Sequence, residues 1–366
     1  MTVTASVLDP TAPARRAGSS RRLFALARLG LGLLVVAVLL RAIGSTDLAR
    51  AARAVRGAGW WLMLVPLPTL VAMSLDTWAW RRILQLLGRH VSWRRLLELR
   101  LSVESIVLAL PGGSLAGEGM KLALLQRRLD VPFGTGAASL ALTKALLTGA
   151  AALYLAAGAV LLLMTGAAGT VPSVTRVPAL LGLGGAVFTA LLAAALVLIL
   201  RGGATFVALS RRLSTFPLAA VRAWMAPRQA SFGRIDADAR TFFARPRRTQ
   251  LACFVPFLLE WLMEGVETFV ILRCLRAAVG FGDALVLDGV GSLLRTIVFF
   301  VPAGLGFQDG AQVALLGMLG VGDAPATGAA FIFIKRTKEL FWIVTGASFL
   351  AVRRDSWQGT RAPSGD

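Results

Sequence analysis

The chain has 366 residues, of which 56% are hydrophobic and only 16% are charged, and its mean hydropathy is +0.71. Soluble domains carry about 25% charged residues, so the composition excludes an ordinary soluble protein and predicts an all-α, polytopic membrane protein. The net charge of +20 does not indicate a nucleic-acid partner, because the basic residues cluster between apolar segments, as the positive-inside rule predicts.

A basic tail, 1–22, precedes the first apolar segment, 23–43. The pair Arg21-Arg22 before this segment resembles a twin-arginine secretion signal. Because no small-residue cleavage site follows, we expect an uncleaved first span with its N-terminus in the cytoplasm.

Six segments have the length of a membrane-spanning helix, which needs about 20 apolar residues. They are 23–43, 60–81, 133–165, 178–201, 249–273 and 325–352. Basic residues predict a cytoplasmic location for the segment from Arg81 to Arg100, for 201–248 and for the C-terminal tail, 353–366. Within the second of these, 203–248 is expected to form helices at the membrane surface or in the cytoplasm.

Two further apolar stretches, 99–128 and 284–320, are interrupted by proline and glycine. The first contains ALPGGSLAGEGMKLALLQRR from Ala109, and the second contains FFVPAGLGFQDGAQVALLGM from Phe299. Broken backbone is tolerated at membrane depth only where protein or water satisfies it. The short legs therefore predict two re-entrant hairpins, with a pair of kinked ordinary spans as the alternative. The turns are expected at Pro111, Gly112 and Gly113 and at Pro302, Gly304 and Gly306.

The two interrupted stretches belong to an internal repeat. A shift of 191 residues aligns Pro111 with Pro302 and Glu118 with Asp309, and Lys144 meets Arg336 one residue later in register. The repeats are 23–165 and 166–352, and each has an odd number of crossings, so the second is expected to be inverted. Inverted repeats with broken helices are typical of transporters whose site lies between the halves.

Charged residues inside the apolar segments predict a polar cavity, because such residues pair or line water. Lys144 and Arg336 are expected to contact the phosphate or carboxylate of a lipid head group. Glu118 and Asp309 are expected to hold the hairpin tips or to carry protons. The candidate substrate-binding residues are Lys144, Arg336, Glu118, Asp309, Lys121, Arg295 and Glu264. The alternative is that these charges are structural ion pairs between the two halves.

No catalytic, metal-binding or cofactor-binding set is apparent in the sequence. Cys253 and Cys274 are expected on one helix, too far apart for a disulfide, and His90 is expected at the surface. Since no ATP-binding loop is present, transport is expected to be passive or ion-coupled.

The hairpin motifs LPGGSLAGEGMKLALLQRR and VPAGLGFQDGAQVALL resemble those of the flippase-like family of the transmembrane region of lysylphosphatidylglycerol synthases. The resemblance covers about 20–352 and implies a lipid translocator, for aminoacylated phospholipids in the synthases and for other lipids in stand-alone members. Some stand-alone members are associated with hopanoid biosynthesis and others with polyprenyl-linked glycosyl transfer. Synthase activity is not expected, because the chain ends at Asp366 without the soluble aminoacyl-transfer domain. Gln308-Asp309 departs from the Gly-Glu or Val-Glu expected there.

The leading hypothesis is therefore a non-enzymatic translocator of an amphipathic, anionic or phosphate-bearing lipid in the bacterial cytoplasmic membrane. Its expected partners are membrane lipids and a lipid-modifying enzyme. One alternative is an accessory scaffold that presents a lipid to a separate enzyme. An intramembrane enzyme and a small-ion channel are further alternatives, but no nucleophile and no filter ring supports them.

Overall fold

The computed structural model describes residues 52–53, 55–57, 59–109, 113–166, 176–215, 223, 229–297 and 307–352. In these ranges the chain is helical and contains no strand, which confirms the all-α prediction. A 3-10 helix, Gly59–Leu64, comes first. The α-helices are α1 (Pro66–Leu86), α2 (Trp93–Ala109), α3 (Gly113–Leu129), α4 (Phe133–Gly166), α5 (Arg176–Arg201), α6 (Thr205–Ser214), α7 (Gln229–Phe243), α8 (Arg247–Cys274), α9 (Phe281–Ile297), α10 (Phe307–Met318) and α11 (Ala324–Val352).

Three described stretches are long and apolar enough to cross a membrane. They are Gly59–Leu86, Phe133–Met164 and Val177–Arg201, and they coincide with the predicted spans 60–81, 133–165 and 178–201. The predicted spans 249–273 and 325–352 form α8 and α11, which have the length of a span but carry several charges. The predicted span 23–43 lies outside the described residues. The chain is thus a multi-pass membrane protein, and the count of six spans stays a prediction.

The first proline- and glycine-rich stretch forms two helices of 17 residues each, α2 and α3. The legs pack together closely, since a Cβ atom on Gly113 would lie 2.3 Å from the carbonyl oxygen of Val107. One turn later, a Cβ atom on Gly117 would lie 2.4 Å from Cγ2 of Val107 and 3.3 Å from Cγ1 of Val103. Small residues on one leg therefore let α3 fold back along α2. Whether this helical hairpin re-enters the membrane stays a prediction.

The second such stretch forms α9 and α10, of 17 and 12 residues. Its predicted turn residues Pro302, Gly304 and Gly306 lie outside the described residues, as do Pro111 and Gly112 of the first turn.

We expect Gly113→Ala to destabilise the protein by about 1–2 kcal/mol, because the new methyl group overlaps the end of α2. Gly119→Ala is the matched control, because a Cβ atom there meets nothing within 4 Å. On α3 it should be neutral or stabilising by up to about 1 kcal/mol. The measurement is the free energy of unfolding in detergent. Equal losses in both variants would contradict the close approach at Gly113.

The helix order repeats, with α1 to α4 followed by the corresponding helices α8 to α11. The two sets pack reciprocally: α1 contacts α8, while α2 contacts α11 and α9 contacts α4. Glycine lies at both reciprocal crossings. A Cβ atom on Gly346 of α11 would lie 2.3 Å from the carbonyl oxygen of Leu101 in α2, and one on Gly158 of α4 would lie 2.9 Å from Cβ of Leu285 in α9. Each half thus completes the packing of the other.

The segment 203–248 contains α6 and α7, which are held together by Asp236. The Asp236 carboxylate accepts hydrogen bonds from the backbone N–H groups of Phe206 and Val207 at 3.2 and 3.0 Å. These donors belong to the first turn of α6, which has no intrahelical partner for them. One face of α7, including Phe232, Ile235 and Phe242, is buried, and α7 contacts α4.

Arg100 ends the segment for which the basic residues predict a cytoplasmic location, yet it lies within α2, and its side chain is only 14% exposed. Helix α2, the first leg of the hairpin, starts at Trp93, which is earlier than the hydropathy suggests. Arg100 therefore lies inside the helix bundle.

Candidate functional site

Two groups of paired charges occur in the first half. The guanidinium of Arg100 forms ion pairs with Glu104 one turn away on α2 and with Asp76 of α1, where Nε lies 2.7 Å from Oδ2. Farther along the chain, Oε1 of Glu118 lies 3.1 Å from Nζ of Lys121 and 2.9 Å from Nζ of Lys144. Each base in these groups is therefore matched to a carboxylate.

The second half contains two further groups of charged residues. In each group, a carboxylate accepts a hydrogen bond from a hydroxyl group of the first half. Asp288 pairs with Lys335, with Nζ 2.8 Å from Oδ1. The same carboxylate accepts hydrogen bonds from Thr268 and Tyr154 at 3.0 and 3.3 Å.

The second group is centred on Glu267, whose side chain is fully buried. Glu267 pairs with Lys338, with Nζ 2.6 Å from Oε1, and it accepts a hydrogen bond from the Thr69 hydroxyl.

One ion pair occurs in both halves at the positions that the repeat aligns. Glu118 pairs with Lys144 at 2.9 Å, and Asp309 pairs with Arg336 at 2.8 Å. Arg336 also binds Glu339 at 2.7 Å. The environments differ, because the side chain of Lys144 is 42% exposed and that of Arg336 is 16% exposed. In both halves the acid on the second hairpin leg is thus joined to the base on the following long helix.

These pairs change the interpretation of the predicted site. Lys144 and Arg336 bind carboxylates of their own half, so in this conformation their charges are already compensated. Ion pairs between the halves were the alternative, but each ion pair given above joins residues of one half. Arg295 lies on α9, and its side chain is outside the described residues.

A small polar cavity of about 70 Å³ lies between the halves. It is bordered by α1 and α2 of the first half and by α8 and α11 of the second. Glu264 lines it, whereas Lys144, Arg336, Glu118, Asp309 and Lys121 do not. The lining residues with charged side chains are Arg100, Glu104, Glu260, Glu264, Lys335, Lys338 and Glu339.

Two polar atoms at the cavity have no hydrogen-bond partner in the described part of the chain. They are Oε2 of Glu260 and Nε1 of Trp342, both buried. Trp342 is 5% exposed overall. Buried polar groups are nearly always hydrogen-bonded, so an acceptor and a donor here are available to water or to a bound molecule.

Sequence reasoning missed several members of these groups, among them Arg100, Asp288 and Tyr154. Arg100 follows a run of basic residues, so the charge pattern groups it with a cytoplasmic segment and not with the buried charges. Asp288 was not singled out, although it is a carboxylate within the apolar stretch 284–320. Tyr154, the chain's one tyrosine, gives no signal in α4, since only its contact with Asp288 reveals a polar role.

The remaining residues considered in the sequence are the possible metal ligands, the cysteines and the histidine. No group of three or more metal-ligating side chains occurs among the described residues. Both cysteines lie on α8 and are free, and His90 is exposed.

The comparison with known families decides the relationship. The family model of the lysylphosphatidylglycerol synthase transmembrane region matches residues 25–337. The chain belongs to this family. The match covers both hairpin motifs and α1 to α10, and it ends within α11, just before Lys338. Membership in the lysylphosphatidylglycerol synthase transmembrane-region family supports a membrane function related to lipids. No curated protein and no solved structure matches the chain.

Proposed function

We propose that this protein translocates an amphipathic, phosphate-bearing lipid across the bacterial cytoplasmic membrane, with both termini in the cytoplasm. The observation that carries the proposal is the polar cavity between two halves that pack reciprocally. Charged side chains are rare inside membranes and usually mark a path for a polar substrate. Family membership supports the lipid as the substrate.

The halves of the proposed translocator are inverted repeats with re-entrant hairpins. The reciprocal contacts of α2 with α11 and of α9 with α4, and the equivalent pairs Glu118–Lys144 and Asp309–Arg336, support this architecture. Transporters of this kind rock one repeat against the other around a site near the bilayer midplane.

Relative motion of the halves would leave the described ion pairs intact. The ion pairs described above stay within one half, whereas Thr69 and Tyr154 reach across to Glu267 and Asp288 through hydroxyl groups. A hydrogen bond to a charged group contributes about 1.5–3 kcal/mol, so a shift of the halves must break these two bonds and the bond from Nε1 of Trp261 to the Leu147 carbonyl oxygen. Since about 70 Å³ holds only a few water molecules, such a shift must also widen the cavity for a head group.

The bases that line the cavity are the expected contacts for a phosphate, which would replace the carboxylates that they bind in this conformation. Arg100 comes from the first half and Lys335 and Lys338 from the second, so a head group in the cavity meets a base from each side. Guanidinium and ammonium groups form strong hydrogen bonds with phosphate oxygens.

A second, more open groove of about 390 Å³ lies at the C-terminal end of α8 and is a reasonable point of lipid entry. It is lined by Trp61, Phe269, Arg273 and Arg276, among others. Tryptophan and arginine are suited to the boundary between lipid tails and head groups.

The proposal is tested with purified protein in vesicles that contain a fluorescent phosphatidylglycerol. Dithionite bleaches only outer-leaflet probe, so translocation exposes the inner-leaflet probe to bleaching. We expect Ala72→Leu, which fills the cavity without changing a charge, to slow bleaching of the inner pool about tenfold, as a barrier raised by about 1.4 kcal/mol does. Ala72 is 2% exposed and lines the cavity.

The matched control is Ala190→Leu on the exposed face of α5, which should translocate like the wild type. Equal rates in all three proteins would place the path elsewhere. If the wild type moves no probe while its removal from cells abolishes a lipid-modifying activity, the scaffold alternative is favoured.

A further inference from the structure

Two glutamates of the cavity lie one helical turn apart on α8. Glu260 and Glu264 share a face, and both line the cavity. Oε2 of Glu260 is buried without a hydrogen-bond partner. Within the described ranges, neither carboxyl group takes part in an ion pair.

The nearby bases are already bound to other carboxylates. Arg100 binds Asp76 and Glu104, Lys335 binds Asp288, and Lys338 binds Glu267. Carboxylates therefore outnumber bases around the pair. The charged groups that face it are Asp76 of α1, Arg100 and Glu104 of α2, Lys121 of α3, Glu267 of α8, Asp288 of α9, and Lys335, Lys338 and Glu339 of α11.

An uncompensated carboxylate in a low-dielectric site is costly, by several kcal/mol, and it is neutralised by taking up a proton. The cavity can supply that proton through water. Its volume suffices for a few water molecules, and both the buried N–H of Trp342 and Oε2 of Glu260, which lack partners in the described part of the chain, belong to residues that line it. Proton uptake at this place needs no metal and no partner protein.

We propose that Glu260 and Glu264 form a proton-binding site in the cavity between the halves. A hydronium ion in the cavity gives its proton to a carboxylate oxygen and becomes water, and the O–H bond breaks in the reverse step. A use of this proton to drive lipid movement rests on the proposed function, whereas the binding of the proton does not.

The site is tested by infrared difference spectroscopy of the purified full chain in detergent, in H₂O and in D₂O. A protonated glutamic acid has a C=O stretching band that an ionised carboxylate lacks, and this band shifts in D₂O. We expect the wild type to show such a band at neutral pH and to lose it at alkaline pH. We expect Glu260→Gln and Glu264→Gln each to reduce the band, and the double variant to lose it.

Glu104→Gln is the matched control, because Glu104 lines the same cavity but forms an ion pair with Arg100. It should leave the band unchanged. If a glutamine variant does not fold, Glu260→Asp serves instead and should shift the band rather than remove it. A wild type without the band, or a band that is unchanged in the double variant, overturns the proposal. A protein that keeps the band but moves no lipid retains the proton site and loses the proposed function.

Discussion

Replacing Lys338 by methionine is expected to destabilise the protein by about 3–5 kcal/mol, the cost of leaving a buried charge without its partner. Lys338 lies 2.6 Å from Glu267, whose side chain is 0% exposed. Without Lys338, the buried carboxylate keeps the hydrogen bond from Thr69, its one other partner among the described residues. Methionine preserves most of the side-chain volume, so the effect is electrostatic. The measurement is the free energy of unfolding in mixed detergent micelles.

The double variant Glu267→Gln/Lys338→Met should recover most of this loss, because both charges leave together. Lys144→Met is the matched control, because the side chain of Lys144 is 42% exposed. Its loss should stay below about 1 kcal/mol, since a partly exposed ion pair is weak and Glu118 keeps Lys121 at 3.1 Å. A double variant as unstable as Lys338→Met would show that the pair is not what stabilises this region.

Gly346→Ala is the second substitution with a large expected effect, about 2–3 kcal/mol. The added methyl group would lie 2.3 Å from the Leu101 carbonyl oxygen and 3.0 Å from Cβ of Ser105. Because the first contact is with backbone, α2 and α11 must separate. The separation should also slow lipid translocation, since both helices line the cavity.

Gly184→Ala on α5 is the control for this substitution, because a Cβ atom there meets nothing within 4 Å. It should be neutral or stabilising by up to about 1 kcal/mol. Unfolding free energy and dithionite bleaching are measured on both variants. Equal unfolding free energies and equal bleaching rates in the two variants would mean that α2 and α11 lie farther apart at this crossing than described.

The helical elements follow from local sequence, and the predictions were accurate where local signals suffice. Apolar runs located α1, α4 and α5, and the Pro-Gly-Gly motif located the break between α2 and α3. The first residue of α2 was missed because Arg94, Arg95 and Arg100 look like loop residues. Hydropathy cannot recognise that Arg100 is compensated by Asp76, which lies 24 residues earlier on another helix.

The sequence predicted which types of charged residue form the candidate site, but it predicted their positions around the cavity only in part. Alignment of the halves selected Glu118, Lys144, Asp309 and Arg336, and the structure pairs them in the same way in each half. The sequence could not show which bases line the cavity, because that depends on the crossing of α2 with α11. It likewise gave no reason to separate Glu260 from its neighbours, since the lack of a partner is a tertiary property.

The containment of the described ion pairs within single halves has a consequence for biogenesis. The first half can enter the bilayer during synthesis with Asp76, Arg100, Glu118 and Lys144 already neutralised, before α8 to α11 are made. An unpaired charge inside the bilayer costs at least about 2.5–3.5 kcal/mol, so this order spares the nascent chain that penalty. Docking of the second half then needs mainly apolar contacts and a few hydrogen bonds, including those of Thr69, Tyr154 and Trp261. The ribosome can therefore deliver the halves one after the other, each as a largely charge-balanced unit.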